Sequence, residues 1–303
     1  ERLAELGRIL AAGLRRVPEA IMIAIRDRNA IIERLGTDPL GNVVLLKHLA
    51  AFPRHTRAFQ QRSPAGAATL VLLDTRASDY DRKTYPNAAY AALIRSDDGA
   101  LTEALLAELP SDCGIVFKLC SAAEYDVVQR HYPLARQTSF LSFTSPAHNP
   151  GRDGVTVADN ATDAMYALYR TQDHQRDWLS PLMASGRAFT CMVGSGDEPL
   201  SVCLAFESYA CVWEIGGVVT RPDQRGRGLG ARVVGAALDE LGRRGLLARY
   251  QVHEDNTASI RLAEAQSSTL AESDLYTEDY LVDRPILACV RHRGPLPPVL
   301  LID

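Results

Sequence analysis

From residue 229 onward the apolar side chains Leu229, Val233, Val234, Ala237, Leu238 and Leu241 recur at the spacing of one helix face. Arg243-Arg244-Gly245 then supplies terminal cations and a glycine stop. Before this helix, Cys211–Thr220 is short and β-rich, which predicts a buried strand, and Leu246 to Val252 predicts a second one after it. Further upstream, Val155–Ala158 reads as a strand, and Ala161–Arg170 and Trp178–Ala184 as helices. Residues 188–194 and 200–206 form a predicted hairpin around Gly194-Ser195-Gly196-Asp197-Glu198.

The first half of the chain shows a similar alternation. Residues 1–17 carry Leu3, Leu6, Ile9, Leu10 and Leu14 on one helical face, stopped near Pro18. Ala67–Asp74, Ala88–Arg95 and Gly114–Leu119 read as strands, Ala100–Leu109 and Ala122–His131 as helices. Between the halves lies Thr144-Ser145-Pro146-Ala147-His148-Asn149-Pro150-Gly151-Arg152-Asp153-Gly154, rich in breakers and without periodicity. Two domains follow, residues 1–147 and 154–303.

Composition changes this picture little. With 47% apolar residues the 303-residue chain can build proper cores, and a net charge of −4 offers no global attraction to nucleic acid or to an anionic membrane. No apolar run reaches bilayer length. The six cysteines, at 113, 120, 191, 203, 211 and 289, have no zinc or redox spacing and read as reduced core residues, so a cytoplasmic location is expected. The seven histidines are scattered, and no catalytic metal is expected.

The candidate chemistry sits between the strand at 211–220 and the helix at 229. Gln224-Arg225-Gly226-Arg227-Gly228-Leu229-Gly230-Ala231 reads as a diphosphate cradle. Glycines let backbone N–H groups converge on phosphate oxygens, the helix start adds its own donors and dipole, and Arg225 and Arg227 add charge. This order of strand, basic glycine loop, helix and strand resembles the GNAT superfamily of acyl-CoA-dependent N-acetyltransferases. The family's loop form [R/Q]-x-x-G-x-[G/A] is met by Arg225, Gly228 and Gly230. The resemblance covers residues 154 to 303 and extends to Asn256, which holds the family's position for an asparagine that starts the next helix and reaches the pantetheine arm.

The resemblance implies an α/β (α+β) fold with a mixed, mostly antiparallel sheet flanked by helices. It also implies acetyl-CoA or another short acyl-CoA as cofactor, and direct transfer to an amine, a small molecule or alternatively a protein amine. Cofactor contacts are expected from Val218, Val219, Arg225, Gly226, Arg227, Gly228, Leu229, Gly230 and Asn256, with Gly216-Gly217 favouring a bulge beside them. Glu214, eleven residues ahead of Arg225, is the candidate general base, and burial beside Trp213 would suit it to the role. An ordinary structural carboxylate is the alternative. The family's usual tyrosine acid is missing: Leu262 is followed by Ala263, with Ser267 and Ser268 further on. Tyr276 or Tyr280 replaces it, or water protonates the thiolate. Asp173, His174 and Trp178, between the predicted helices, and Glu207 and Tyr209 are candidates to face the acceptor. In the first half the matching loop, Ser96-Asp97-Asp98-Gly99, would repel a pyrophosphate, so that half is expected to be a degenerate GNAT-like domain without a cofactor loop.

Two other readings remain open. A non-catalytic acyl-CoA-binding regulatory module accommodates the missing acid. A dinucleotide-dependent oxidoreductase accommodates Gly226-x-Gly228-x-x-Ala231 with Glu254 and Asp255 ending the next strand, although Arg221-Pro222-Asp223-Gln224-Arg225 intervenes between strand and glycines.

Overall fold

The computed structural model describes residues 22–144, 153–172, 174–265, 271–282 and 299–302. The predicted helix at 1–17, most of the breaker segment, Asp173, Ser267, Ser268 and Cys289 lie outside them.

The chain runs through β1 (Met22–Ile25), α1 (Arg28–Leu35), α2 (Val43–Ala51), β2 (Thr56–Ser63), β3 (Gly66–Asp74), a short α3 (Asp79–Thr84), β4 (Ala88–Ser96), α4 (Gly99–Leu105), β5 (Gly114–Leu119), α5 (Ala122–Val128) and β6 (Ala135–Thr144). It continues through β7 (Thr156–Ala158), α6 (Asp163–Arg170), α7 (Arg176–Ala184), β8 (Ala188–Gly194), β9 (Pro199–Tyr209), β10 (Val212–Thr220), α8 (Leu229–Arg243), β11 (Leu247–His253), α9 (Thr257–Ala265), β12 (Ala271–Val282) and β13 (Val299–Ile302). Apart from α3 and β13, the two runs have the same succession: strand, two helices, three strands, helix, strand, helix, strand.

The sheet order is β13-β1-β2-β3-β4-β5-β12-β6-β11-β10-β9-β8-β7, mixed and mostly antiparallel. Its centre exchanges strands. β12, from the second half, pairs with β5 of the first, Leu281 opposite Val116, while β6, from the first, pairs with β11 of the second, Val252 opposite Leu141. Each half's last strand thereby completes the other half's sheet, and β12 and β6 also pair with one another.

Alternation along the strands separates two faces. In the second half one face packs Trp213, Ile215, Ala248 and Tyr250 under Val233, Val234 and Ala237 of α8. The opposite face packs Val202, Leu204 and Met192 under Tyr166 and Tyr169 of α6 and Leu179 of α7. The first half repeats this, with α4 and α5 on one face and α1 and α2 on the other.

Sequence periodicity located the long elements but missed β1, α1, α2, β2, α3, β6 and β13. In β2 both faces are covered and both carry buried polar residues, Gln60 on one and Gln61 on the other, so the period-two signal is absent. The helix expected over Ala100–Leu109 ends at Leu105 and tightens into a 3-10 turn over Leu106–Glu108, and the one expected to reach His131 ends at Val128. The cysteines among the described residues are free thiols.

Candidate active site

Strands β10 and β11 run parallel on either side of α8, and their pairing is brief. It covers Val212 opposite Leu247 through Ile215 opposite Tyr250 and then stops, although β10 continues to Thr220 and β11 to His253. Beyond that rung the two strands carry backbone groups not paired to each other. Gly216-Gly217 does form a bulge: Gly216 stands opposite Leu204 and Val219 opposite Val202, so β10 spends one extra residue against β9. Gly217 has φ +55, a left-handed value that costs an L side chain about 1–2 kcal/mol.

The glycine loop stands over this opening. After a 3-10 turn at Pro222–Gln224, Gly226 and Gly228 take φ +76 and +71, and Gly228 precedes α8 with no side-chain cap. A Cβ at either glycine would meet no protein atom within 4 Å, so the space around the helix start is open to a ligand. A Cβ at Gly230 would lie 3.7 Å from Val218 Cγ1 and Thr220 Oγ1 and 3.8 Å from Leu262, so this glycine seats the first turn of α8 on the end of β10 and on α9. Arg225 and Arg227 are exposed beside the loop; Arg225 Nε donates to Thr220 O (3.4 Å) and Arg227 Nη1 to Gln224 Oε1 (3.0 Å). Asn256 caps α9, its Oδ1 accepting from Ser259 N at 3.1 Å, and is exposed.

The corresponding place in the first half is closed. Pairing of β4 with β5 runs through to Ile94 opposite Leu119, without a splayed end. Asp98 fills the helix start that Gly228 leaves open: its Oδ1 accepts from Ala100 N (2.8 Å) and Leu101 N (3.3 Å). Asp97 accepts from Ala67 N at 3.0 Å. Buried Glu124 bridges the two strand ends, accepting from Ser96 N (2.9 Å) and Cys120 N (2.7 Å), and burial pushes its carboxyl up to about 7.

On the α6–α7 face, Glu214 is one rung before the pairing stops. Across the ladder, Arg249 Nη1 donates to Glu214 Oε2 (3.3 Å) and Nη2 to Ser142 Oγ (3.1 Å). The arginine side chain is 2% exposed and the glutamate 18%. Phe206 is the β9 partner of Glu214, Trp178 packs edge-on against Phe206 (5.6 Å between centroids), and His174 lies beside Trp178 (5.7 Å) and over Gly217. Thus Glu214, the bulge, and His174 and Trp178 of the interhelical segment share one surface. Glu207 is instead engaged by Arg187 (2.7 Å), and Tyr209 packs against the first half's core.

Other predicted residues stand apart. The backbone of Tyr276, opposite Leu141, is three strands from β10, about 14 Å at ordinary strand spacing, and Tyr280 lies opposite Phe117 and Arg136. Their side chains lie outside what is described. Glu254 is held by Arg136 (2.6 Å), which keeps its carboxyl below the usual range, and it accepts from Ser139 N (3.0 Å), so it tethers β6. The parallel pair β10–β11 is flanked by antiparallel β9 and β6, unlike a doubly wound dinucleotide-binding sheet. Sequence reading missed Arg249.

Residues 157–267 match the family model described as Acetyltransferase (GNAT) family. No curated protein matches the chain. Among solved structures the chain is similar to a GCN5-related N-acetyltransferase from Sphaerobacter thermophilus, at 15% identity over 88% of this chain and 97% of that one, TM-score 0.54. It is similar to an acetyltransferase from the GNAT family of Colwellia psychrerythraea, at 10% identity over 86% and 98%, TM-score 0.51. It also resembles a tandem GNAT protein from the clavulanic acid biosynthesis pathway, at 14% identity over 87% and 98%, TM-score 0.45. At such identities the first two likenesses speak for the fold alone. Together with the glycine loop over parted strands, the family match identifies residues 157–267 as an acetyltransferase domain of the GNAT family.

Proposed function

We propose that the chain transfers an acetyl or other short acyl group from acyl-CoA to an amine, with one cofactor site, in the second half. The observation that carries this reading is the parting of β10 and β11 after Ile215 and Tyr250, under a helix start left uncapped by Gly228. Arg225, Gly226, Arg227, Gly228, Leu229 and Gly230 would hold the diphosphate, and Val218, Val219 and Asn256 the pantetheine arm. When bound, acyl-CoA supplies an acyl carbon activated by a thiol leaving group.

Glu214 takes a proton from the amine as its nitrogen bonds to the acyl carbon, and the carbon–sulfur bond breaks as thiolate leaves. His174, Trp178 and Phe206 border the approach to Glu214 and orient the acceptor. Because Tyr276 stands three strands from β10, water is the proposed proton donor to the thiolate with Tyr276 as the alternative, a step that needs little help because a free thiol has a pKa near 8.5. On this reading the chain divides at 1–147 and 154–303, the first part a GNAT-like repeat that binds no cofactor.

A second reading, a non-catalytic acyl-CoA-binding module, draws on the engagement of Glu214 by Arg249. The test is thermal unfolding with acetyl-CoA, CoA, NAD and NADP added separately, followed by thiol release with a panel of amines. Ligand at a hundred times its Kd adds about 2.7 kcal/mol of stability. A rise with acetyl-CoA or CoA alone, and turnover of an amine, is expected. A rise without turnover would favour the binding module; a rise only with a dinucleotide would overturn both.

A further inference from the structure

The opening between β10 and β11 has two ends of opposite character on the α6–α7 face. On β11, Ala248, Tyr250 and Val252 pack under α8, so alternation puts Arg249 and Gln251 on the other face, with Glu214. Gln251 is the first β11 residue on that face past the last rung, and Gly216, next on β10 after Ile215, brings no side chain to meet it. The Gln251 side chain is partly buried, and its amide has no hydrogen-bond partner among the described residues. An amide drawn away from water and left unpaired costs free energy until a partner answers it. Glu214 and Gln251 thus make a polar end with hydrogen-bonding capacity to spare.

The other end is a row of rings. Phe206 begins it, directly across the β9–β10 ladder from Glu214. A Cβ on Gly216 would lie 3.6 Å from Phe206 Cε1, and one on Gly217 would lie 3.2 Å from His174 Cδ2. The glycine bulge therefore lets both rings settle onto the strand at the opening. Trp178 ends the row, edge-on to Phe206 at 5.6 Å and 5.7 Å from His174. Its side chain stays 37% exposed, whereas Trp213 is buried in the core. A lone exposed ring on a protein surface is ordinary; one that ends a row of rings beside a carboxylate and an unpaired amide gives the opening an apolar wall and a polar end.

We infer that the acceptor is an arylalkylamine, its ring lying on Trp178 and Phe206 while its nitrogen sits between Glu214 and the Gln251 amide. This deepens the acyltransferase reading and rests on it. A hydroxylated amine would leave hydroxyls unpaired against the two rings, and a saturated one would forgo the offset or edge-on contact that an aromatic ring makes with indole. Gln251 Oε1 accepts a hydrogen bond from the amine and turns its lone pair toward the acyl carbon. The nitrogen bonds to that carbon, the proton passes to Glu214, and the carbon–sulfur bond breaks with its electron pair leaving on sulfur. Trp178 selects the ring; Gln251 holds the nitrogen.

The test compares phenethylamine, 2-cyclohexylethylamine, ethanolamine and spermidine on the whole chain, with turnover followed as thiol released from acetyl-CoA. Binding in the presence of CoA is followed separately by tryptophan emission, because the chain has two tryptophans and Trp178 is the exposed one. Phenethylamine is expected to have a kcat/KM about tenfold or more above each of the others, and to shift an emission that is absent from Trp178→Phe. Trp178→Leu should raise KM for phenethylamine and collapse its preference toward one, while Trp178→Phe restores most of it. Gln251→Leu should weaken all four amines alike and leave the preference in place. Cyclohexylethylamine, ethanolamine or spermidine used as well as phenethylamine would overturn the aromatic inference and leave the transferase reading standing, as would a preference unmoved in Trp178→Leu. Phenethylamine binding that depends on Trp178, with no thiol release from any amine, would support the aromatic slot and defeat the transferase reading.

Discussion

Glu214 and Arg249 face each other across the parallel pair β10–β11, one rung before the strands part, with 3.3 Å between carboxylate and guanidinium. In the first half the rung before the last, between β4 and β5, holds Leu93 opposite Lys118. Only the second half therefore places a carboxylate at the mouth of parted strands. Glu214→Gln should retain acyl-CoA binding and lower kcat at neutral pH by about 10²–10⁴, the usual worth of a general base. Because Arg249 is left buried without its counter-charge, stability should also fall, by less than the roughly 3–5 kcal/mol of a fully buried pair. Steady-state kinetics on folded protein separates the two effects: lost stability with unchanged kcat would make Glu214 a structural partner of Arg249.

The contrast between Gly228 and Asp98 gives a second prediction. Asp98 satisfies the start of α4 with its own carboxylate, where Gly228 leaves α8 uncapped. Gly228→Asp should therefore plug the cradle with an internal anion and weaken acyl-CoA binding at least tenfold, at a strain cost of about 1 kcal/mol for the left-handed backbone. Exposed Arg225→Glu should weaken binding comparably and change stability by no more than about 0.5 kcal/mol. Calorimetric titration with acetyl-CoA checks both.

Glu124 makes the first half sensitive to pH. Its carboxyl, pushed up to about 7 by burial against the opposing pull of the Cys120 and Ser96 N–H groups, binds a proton more tightly than the unfolded chain, where a glutamate titrates near 4.3. Its stabilising contribution is thus complete below about pH 4.3 and is lost as pH rises through about 7, on the order of 3 kcal/mol in all. Relative to Glu124→Gln, the natural protein should lose stability across that window in urea unfolding. Parallel curves would contradict the assignment.

Exchange of β6 and β12 ties the halves into one folding unit. Residues 1–147 and 154–303 produced as separate chains should each fail to give a cooperative transition, and mixing them during refolding should restore acetyl-CoA binding. Independent two-state unfolding of either part would show that the exchange is dispensable.

Tyr276→Phe should lower kcat by less than tenfold, since the departing thiolate is a weak base. A larger loss, with its alkaline limb removed from the pH profile, would make proton donation the slow step.

Much of the second half was legible because its signals are local. The 3.6-residue period of 229–241, the glycine punctuation of 226–230 and the paired Gly216-Gly217 each act within one element. The strand exchange was not legible, because register between β6 and β11 depends on residues more than a hundred positions apart, Thr144 opposite Arg249. Arg249 left only a faint trace, a charge at an inward position of Leu247-Ala248-Arg249-Tyr250. Reading it as a site residue needed the facing strand, which only the fold supplies.

On the proposed function one half of this repeated architecture holds acyl-CoA and the other cannot. Isothermal titration of the intact chain with acetyl-CoA tests it most directly. One molecule per chain is expected, with binding abolished by Gly228→Asp and retained in Glu214→Gln; two molecules per chain, or none, would overturn the single-site proposal.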